Sequence, residues 1–224
     1  TAGARDQSLL YGSSKGALRI VNSSTGEELM VFVPAEILNS TASKALRKGS
    51  SDTSGMTHGI SGAWISDSDY TVTSATDTTT SVVAKKMNVY GGMRMGGNSY
   101  YGLDVLTPSA PKLLFNIVGG TGSFTRMGQT WSKPVMANIR YGNAIRRVMI
   151  VGGGYDMCYE NPRFKLGNPV TNVSTDYKDA TCNNKTQANG NAVYIIDAKT
   201  GERIWWASSS AADTNNTSMT HSIV

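Results

Sequence analysis

The chain has 224 residues, of which 39% are hydrophobic, 17% charged and 24 are glycine, with a formal charge of +5. That is long enough for one large domain with its own core, and the profile excludes a charge-rich disordered chain. No apolar run approaches the ~20 residues of a membrane-crossing helix.

In chain order, Ser8-Leu9-Leu10-Tyr11-Gly12 reads as a short strand with a turn at Ser13–Gly16. Leu18 to Phe32 then alternates apolar and polar residues on either side of Thr25-Gly26-Glu27, the pattern of a β-hairpin with a glycine turn. Pro34-Ala35-Glu36-Ile37-Leu38 predicts a helix start with proline at its first position. Leu38, Ala42 and Ala45 continue at helical spacing, and Gly49 is the expected stop. Met56-Thr57-His58-Gly59-Ile60 opens the next unit. The Ser/Thr/Asp-rich stretch 66–81 is expected to be a long hairpin or a loop, and Val82–Tyr90 a strand.

A looser copy of the hairpin follows, with Tyr101–Thr107 as one arm and Lys112–Ile117 as the other. Trp131–Ile139 and Arg147–Tyr155 are the first strands of a further unit. Its hairpin is the clearest of all: Val193-Tyr194-Ile195-Ile196-Asp197, the turn Lys199-Thr200-Gly201-Glu202, then Arg203-Ile204-Trp205-Trp206. Met219-Thr220-His221 repeats Met56-Thr57-His58 and is expected to begin one more unit.

A hairpin recurring inside longer units marks a repeat architecture. Each full unit has four strand-like runs, and four-stranded units arranged radially make a β-propeller. The expected class is therefore all-β, an incomplete propeller of about three quinoprotein-like blades with loop insertions and one short helix. The reading places a partial blade at 9–33, blades at 56–117 and 130–208, and the start of another at 219–224. The chain begins at Thr1 without methionine, and so few blades cannot close a ring, so a segment of a larger propeller is expected.

Candidate sites are sparse. Cys158 and Cys182 bracket a polar stretch and lack zinc-type spacing; a structural disulfide closing an insertion fits better, contributing roughly 3 kcal/mol in the loop-entropy account. Such a bridge implies an oxidising compartment. His58 and His221 stand in equivalent Met-Thr-His positions, expected on the innermost strands, and read as a repeated structural position rather than a metal pair. Asp67, Asp69 and Asp77, and the stretch Asp213–Thr217, lack the pattern of a calcium loop and read as solvated turns. The sequons at Asn39 and Asn172 are of the kind expected by chance in so Asn-, Ser- and Thr-rich a chain. Gly120-Thr121-Gly122 and Gly152-Gly153-Gly154 lack nucleotide-loop spacing and read as turn glycines. The basic groups Lys44/Arg47/Lys48, Lys85/Lys86 and Arg146/Arg147 read as solubilising charge, with no nucleic-acid face. No catalytic, cofactor or metal residue is assigned.

Several segments, in order, resemble the C-terminal propeller of the PilC/PilY type IV pilus biogenesis factors and tip adhesins. They are Gly16 to Phe32 with Val33-Pro34-Ala35-Glu36; His58-Gly59-Ile60-Ser61-Gly62; Gly96-Gly97-Asn98-Ser99-Tyr100-Tyr101-Gly102-Leu103-Asp104-Val105; Gly128-Gln129-Thr130-Trp131-Ser132-Lys133-Pro134; Val151-Gly152-Gly153-Gly154-Tyr155; and Val193 to Ile204. The hairpin alone is shared by all quinoprotein-like propellers. The Tyr-Tyr-Gly-Leu-Asp and Gly-Gln-Thr-Trp-Ser-x-Pro segments are the more specific.

The resemblance implies a modified, usually seven-bladed propeller behind a variable N-terminal region. It implies a place at the pilus tip or outer membrane after export through the periplasm, with no enzymatic activity. It also implies promotion of pilus extension, and adhesion to host cells or surfaces. The implied partners are pilin and minor pilin subunits and a surface receptor. The family's calcium loop would be expected beyond Val224, and the Arg-Gly-Asp of some members is absent, since Arg5 directly precedes Asp6. Loops 34–56, 66–81 and 157–190 are the expected binding surface. The alternatives are a quinoprotein-type dehydrogenase, which would stack its cofactor on a disulfide of adjacent cysteines, and an outer-membrane assembly scaffold.

Overall fold

In a computed structural model, residues 7–39, 43, 58–76, 79–161, 164–166, 182, 185–208 and 223–224 are described. Their strands form three antiparallel sheets. The first contains β1 (Ser8–Gly12), β2 (Leu18–Asn22) and β3 (Glu28–Phe32). The second runs β4 (Trp64–Thr76), β5 (Thr79–Gly92), β6 (Ser99–Asp104), β7 (Lys112–Val118). The third runs β8 (Val135–Tyr141), β9 (Ala144–Gly152), β10 (Ala192–Asp197), β11 (Arg203–Ser208). In every sheet, chain order is also spatial order. Such meanders, laid face against face and joined from the last strand of one to the first of the next, are blades of an all-β propeller.

The repeated hairpin is the same object at atomic detail. In the β2–β3 turn, Asn22 Oδ1 accepts the N–H groups of Ser24 and Thr25 at 2.9 and 3.1 Å. In the β10–β11 turn, Asp197 Oδ1 accepts those of Lys199 and Thr200 at 2.9 and 3.1 Å. Gly26 and Gly201 close the two turns at φ +73° and +74°, a conformation that disfavours side chains. Both hairpins also bulge at one place, between Ile20 and Val21 and between Ile195 and Ile196. An Asx turn followed by a left-handed glycine is what Asn/Asp-x-x-Thr-Gly encodes.

Alternation then assigns the faces. Leu10, Ile20 and Met30 are cross-strand partners in the first sheet and pack with Val89, Leu103 and Val105 of the second. The other face of the second sheet presents Tyr90, Tyr100, Phe115 and Ile117 to Met149, Val151, Tyr194 and Ile196 of the third. A buried side chain of this size contributes about 2 kcal/mol over its exposed state, so the two seams hold the stack together. Which face each strand residue presents thus follows from the period-two pattern.

The links between blades obey one rule. The chain leaves the last strand of a sheet and crosses the end of that sheet's third-from-last strand before entering the next. At each crossing that strand ends in glycine: Gly12 of β1 under Ile60, Gly92 of β5 under Thr130, Gly152 of β9 under Ile223. A Cβ on Gly12 would stand 2.3 Å from the Ile60 carbonyl oxygen, and one on Gly152 equally 2.3 Å from that of Ile223. On Gly92 it would meet Thr130 Oγ1 at 2.5 Å. These glycines are there for close approach, not for positive φ.

Three expectations change. Pro34 is the N-cap rather than the first helical residue, and the α-helix α1 spans only Ala35–Leu38. The spacing expected to carry it to Gly49 fails first at Asn39, which caps it; residues 40–42 and 44–50 lie outside the described residues. His58 is not on an innermost strand: it is exposed in the link six residues ahead of β4, because the glycines at 59 and 62 carry the chain across the blade before any pairing begins. His221 lies outside the described residues, as do Asp213–Thr217, Asp77, Asn172 and the Lys44/Arg47/Lys48 group.

Candidate functional site

Strand direction sorts the loops onto two ends of the stack. Connections 13–17, 33–63, 93–98, 119–134 and 153–191 leave from one end. The hairpin turns 23–27, 105–111, 142–143 and 198–202, and the tip of the β4–β5 ribbon, lie at the other. The ribbon pairs from Trp64↔Gly91 to Thr76↔Thr79, whereas β5 meets β6 only over Asn88–Gly92. Its distal part therefore projects past the rest of the blade. The three stretches expected to form one binding surface are accordingly divided: 34–56 and 157–190 arise at one end, and 66–81 at the opposite end.

The foot of the 157–190 insertion is clamped twice. Cys158 and Cys182 are joined by a disulfide, with Cα atoms 5.6 Å apart. Beside it, Asp156 is buried, with 2% of its surface exposed. One of its carboxylate oxygens accepts the Cys158 N–H at 3.0 Å; the other accepts Asn189 N–H and pairs with Lys185, both at 2.8 Å. Lys185 also approaches Cys158 Sγ at 3.8 Å. The buried carboxylate holds both ends of the insertion, and nothing in its sequence surroundings distinguished it from a surface acid.

Asp67 departs from its expected role as a solvated turn, and Lys86, Arg146 and Arg147 from that of solubilising charge; Asp197, at the end of its hairpin arm, is a second paired acid. Asp67, on β4, accepts from Arg147 Nη2 at 2.7 Å and Arg147 Nε at 3.2 Å, across the seam on β9, and from Lys86 Nζ at 3.0 Å. Burial alone would raise its carboxyl; Arg147 and Lys86 outweigh that and hold it below the usual carboxylate range. Asp197 is treated likewise: burial raises it, and the N–H groups of Lys199 and Thr200 with the Arg146 guanidinium, 3.3 Å away, bring it below the ordinary value. Asp67 was missed because its ion partner lies 80 residues away.

The segments that carry the family resemblance are concentrated at the seams. Thr130 Oγ1 accepts Met93 N–H at 2.8 Å and donates to the Ser99 carbonyl at 3.2 Å. Tyr100 Oη donates to the Ser132 carbonyl at 2.7 Å, while Ser132 Oγ accepts Gly152 N–H at 3.0 Å. Tyr101 Oη donates to Glu36, which fixes α1 against the second blade. Tyr-Tyr-Gly-Leu-Asp and Gln-Thr-Trp-Ser-x-Pro are thus parts of one joint. Beside it, the Arg94 guanidinium lies 4.3 Å above the Trp131 ring, whose centroid is 5.9 Å from that of Tyr155.

Among the described residues no group of three or more His, Cys, Asp or Glu side chains could hold a metal ion, so none of them is assigned to calcium. No helix among them is long and apolar enough to cross a membrane.

These features define a stack of propeller blades locked at the seams and bearing long insertions at one end. No family model matches the chain, and no curated protein matches it. Among solved structures it is similar to the crystal structure of the Pseudomonas aeruginosa PilY1 C-terminal domain, at 18% identity and a TM-score of 0.49. That alignment covers 91% of this chain and 30% of that one, so the chain spans less than a third of its length.

Proposed function

We propose that this chain is part of a non-enzymatic, pilus-associated surface protein that promotes type IV pilus extension and attachment. The observation that supports it is the joint between the second and third blades. The two most specific resembling segments, 100–104 and 128–134, are separate in sequence yet meet there through Thr130 and the Tyr100–Ser132 contact. Two separate resembling segments that meet in one joint are harder to reach by chance than a lone hairpin. On this reading the insertions at one end contact pilin-like subunits or a surface receptor, at the pilus tip or outer membrane, and the disulfide suits export to an oxidising compartment.

The experiment is deletion of the encoding gene, with surface pili counted in strains with and without pilus retraction. Pili are expected to be lost where retraction operates and to be largely restored where it is disabled, with attachment reduced in the first case. Unchanged pili and unchanged attachment would overturn the reading.

A further inference from the structure

We infer that the Arg94–Trp131–Tyr155 cluster is a docking site for an acidic segment of a partner protein, with Arg94 as its carboxylate clamp. The inference does not depend on the pilus reading, which assigns no residue to binding.

Arg94 is the one non-glycine residue with positive φ, +56°, among the described residues. A side chain in that region is strained, and such strain persists where the surroundings impose it, often at a functional site. Here the surroundings do: Arg94 N–H donates to the Thr130 carbonyl at 3.2 Å, and the Gly96 N–H closes the turn on Met93 at 3.1 Å. Glycine would relieve the strain, so the arginine side chain itself is what the position keeps. Its guanidinium carbon lies 4.3 Å from the centroid of the Trp131 ring, and among the described residues the guanidinium N–H groups make no hydrogen bond or ion pair. The donor N–H groups remain for a ligand. A guanidinium offers a planar fork that matches a carboxylate.

The platform is preorganised. Gln129 Oε1 accepts Trp131 Nε1–H at 3.1 Å, and Gln129 Nε2 reaches the Met95 carbonyl at 3.4 Å. Backbone bonds of 2.8 and 3.0 Å tie Gln129 to Tyr155. Rigid Arg, Trp and Tyr side chains held in one cluster are the usual composition of energetically dominant interface residues.

The exposed charge on the segments that form the cluster's surroundings is mainly positive. Segments 13–17, 58–63, 93–98 and 125–134, which meet at this end of the blades, contain no Asp or Glu, and Lys15, Arg94 and Lys133 are exposed on them. Of the acids at this end among the described residues, Glu36 and Asp156 are engaged by Tyr101 and Lys185, and Glu160 is exposed beyond Tyr155. An acidic peptide fits this surface better than a nucleic acid does, because a base needs an open ring face. Trp131 has Arg94 on one face and Tyr155 packed beside it.

The test is fluorescence anisotropy of the 224-residue chain with a labelled Gly-Ser peptide carrying four glutamates, and with its four-glutamine counterpart. The glutamate peptide is expected to bind with an affinity that falls as salt rises, and the glutamine peptide to bind at least about tenfold more weakly. Arg94→Gly is expected to lose about tenfold or more in affinity while its melting temperature stays equal or rises, since it relieves the positive φ. Arg94→Lys, which keeps charge without the fork, is expected to fall between. Equal binding by wild type and Arg94→Gly, equal binding of the two peptides, or no binding at low salt would overturn the proposal. So would Arg94-dependent binding of a single-stranded oligonucleotide or of phosphatidylserine vesicles tighter than that of the glutamate peptide.

Discussion

Asp67 shows how much a single carboxylate can be asked to do in a stack of sheets. It sits on the first strand of one blade and receives a two-pronged arginine from the next, so it acts as a bolt through the seam as well as a partner for Lys86. The cations keep 37–38% of their side-chain surface exposed, and solvent screening trims the pair accordingly. Asp67→Asn is expected to cost about 1–2 kcal/mol at neutral pH, read by urea denaturation. Its folded carboxyl lies below the unfolded value of 3.8, so the stabilisation is complete above that value and is lost as pH falls through the folded one. The difference between wild type and Asp67→Asn should therefore narrow steadily from about pH 4 downward. A difference that stayed constant through that range would show that Asp67 contributes by packing alone.

At the scale of elements, the strands and hairpin turns were legible because their causes are local. Asn22 and Asp197 each write an Asx turn within five residues, and period-two alternation places Tyr194 and Ile196 on one face without reference to anything else. The seams were not legible, because their causes are distant: Gly92 answers to Thr130, and Tyr90 Oη donates to the Ala198 carbonyl, 108 residues away, at 3.0 Å. Likewise α1 has a good start in Pro34 and Glu36, yet its extent could not be read from an apolar spacing that only neighbours could decide. Gly92→Ala and Gly152→Ala are each expected to cost about 1–3 kcal/mol, measured as a lower melting temperature, since the linker must be pushed off the strand end. The buried tyrosines give the seams a second signature. Desolvation raises Tyr90, Tyr100, Tyr101 and Tyr194 above the ordinary value of 10, with Glu36 adding to the effect at Tyr101. A raised folded value means that their stabilisation is intact below 10 and is lost as pH rises through it. Phenolate absorbance from these four tyrosines should then appear together with unfolding in an alkaline titration.

The whole molecule is governed by the fact that a stack of blades has two outward faces as well as two loop-bearing ends. On the first sheet the face opposite the seam carries Leu9, Tyr11 and Val31, at 55%, 40% and 43% exposure. On the third it carries Val135 and Trp205, at 60% and 43%. Cross-strand pairing through Ile150 and Ile195 puts Val135 and Trp205 on one side of that sheet, so the exposure is a continuous apolar surface rather than scattered residues. Surfaces of this kind cover themselves, either with further blades or with another copy. The 224-residue chain on its own is therefore expected to self-associate as its concentration rises, read by sedimentation velocity. Val135→Thr with Trp205→Thr should shift that association to a concentration about tenfold higher or more, without lowering the melting temperature of the dilute protein, because neither side chain belongs to a seam. The Arg94 substitutions should leave the association untouched, since that cluster lies at a loop-bearing end and not on either sheet face.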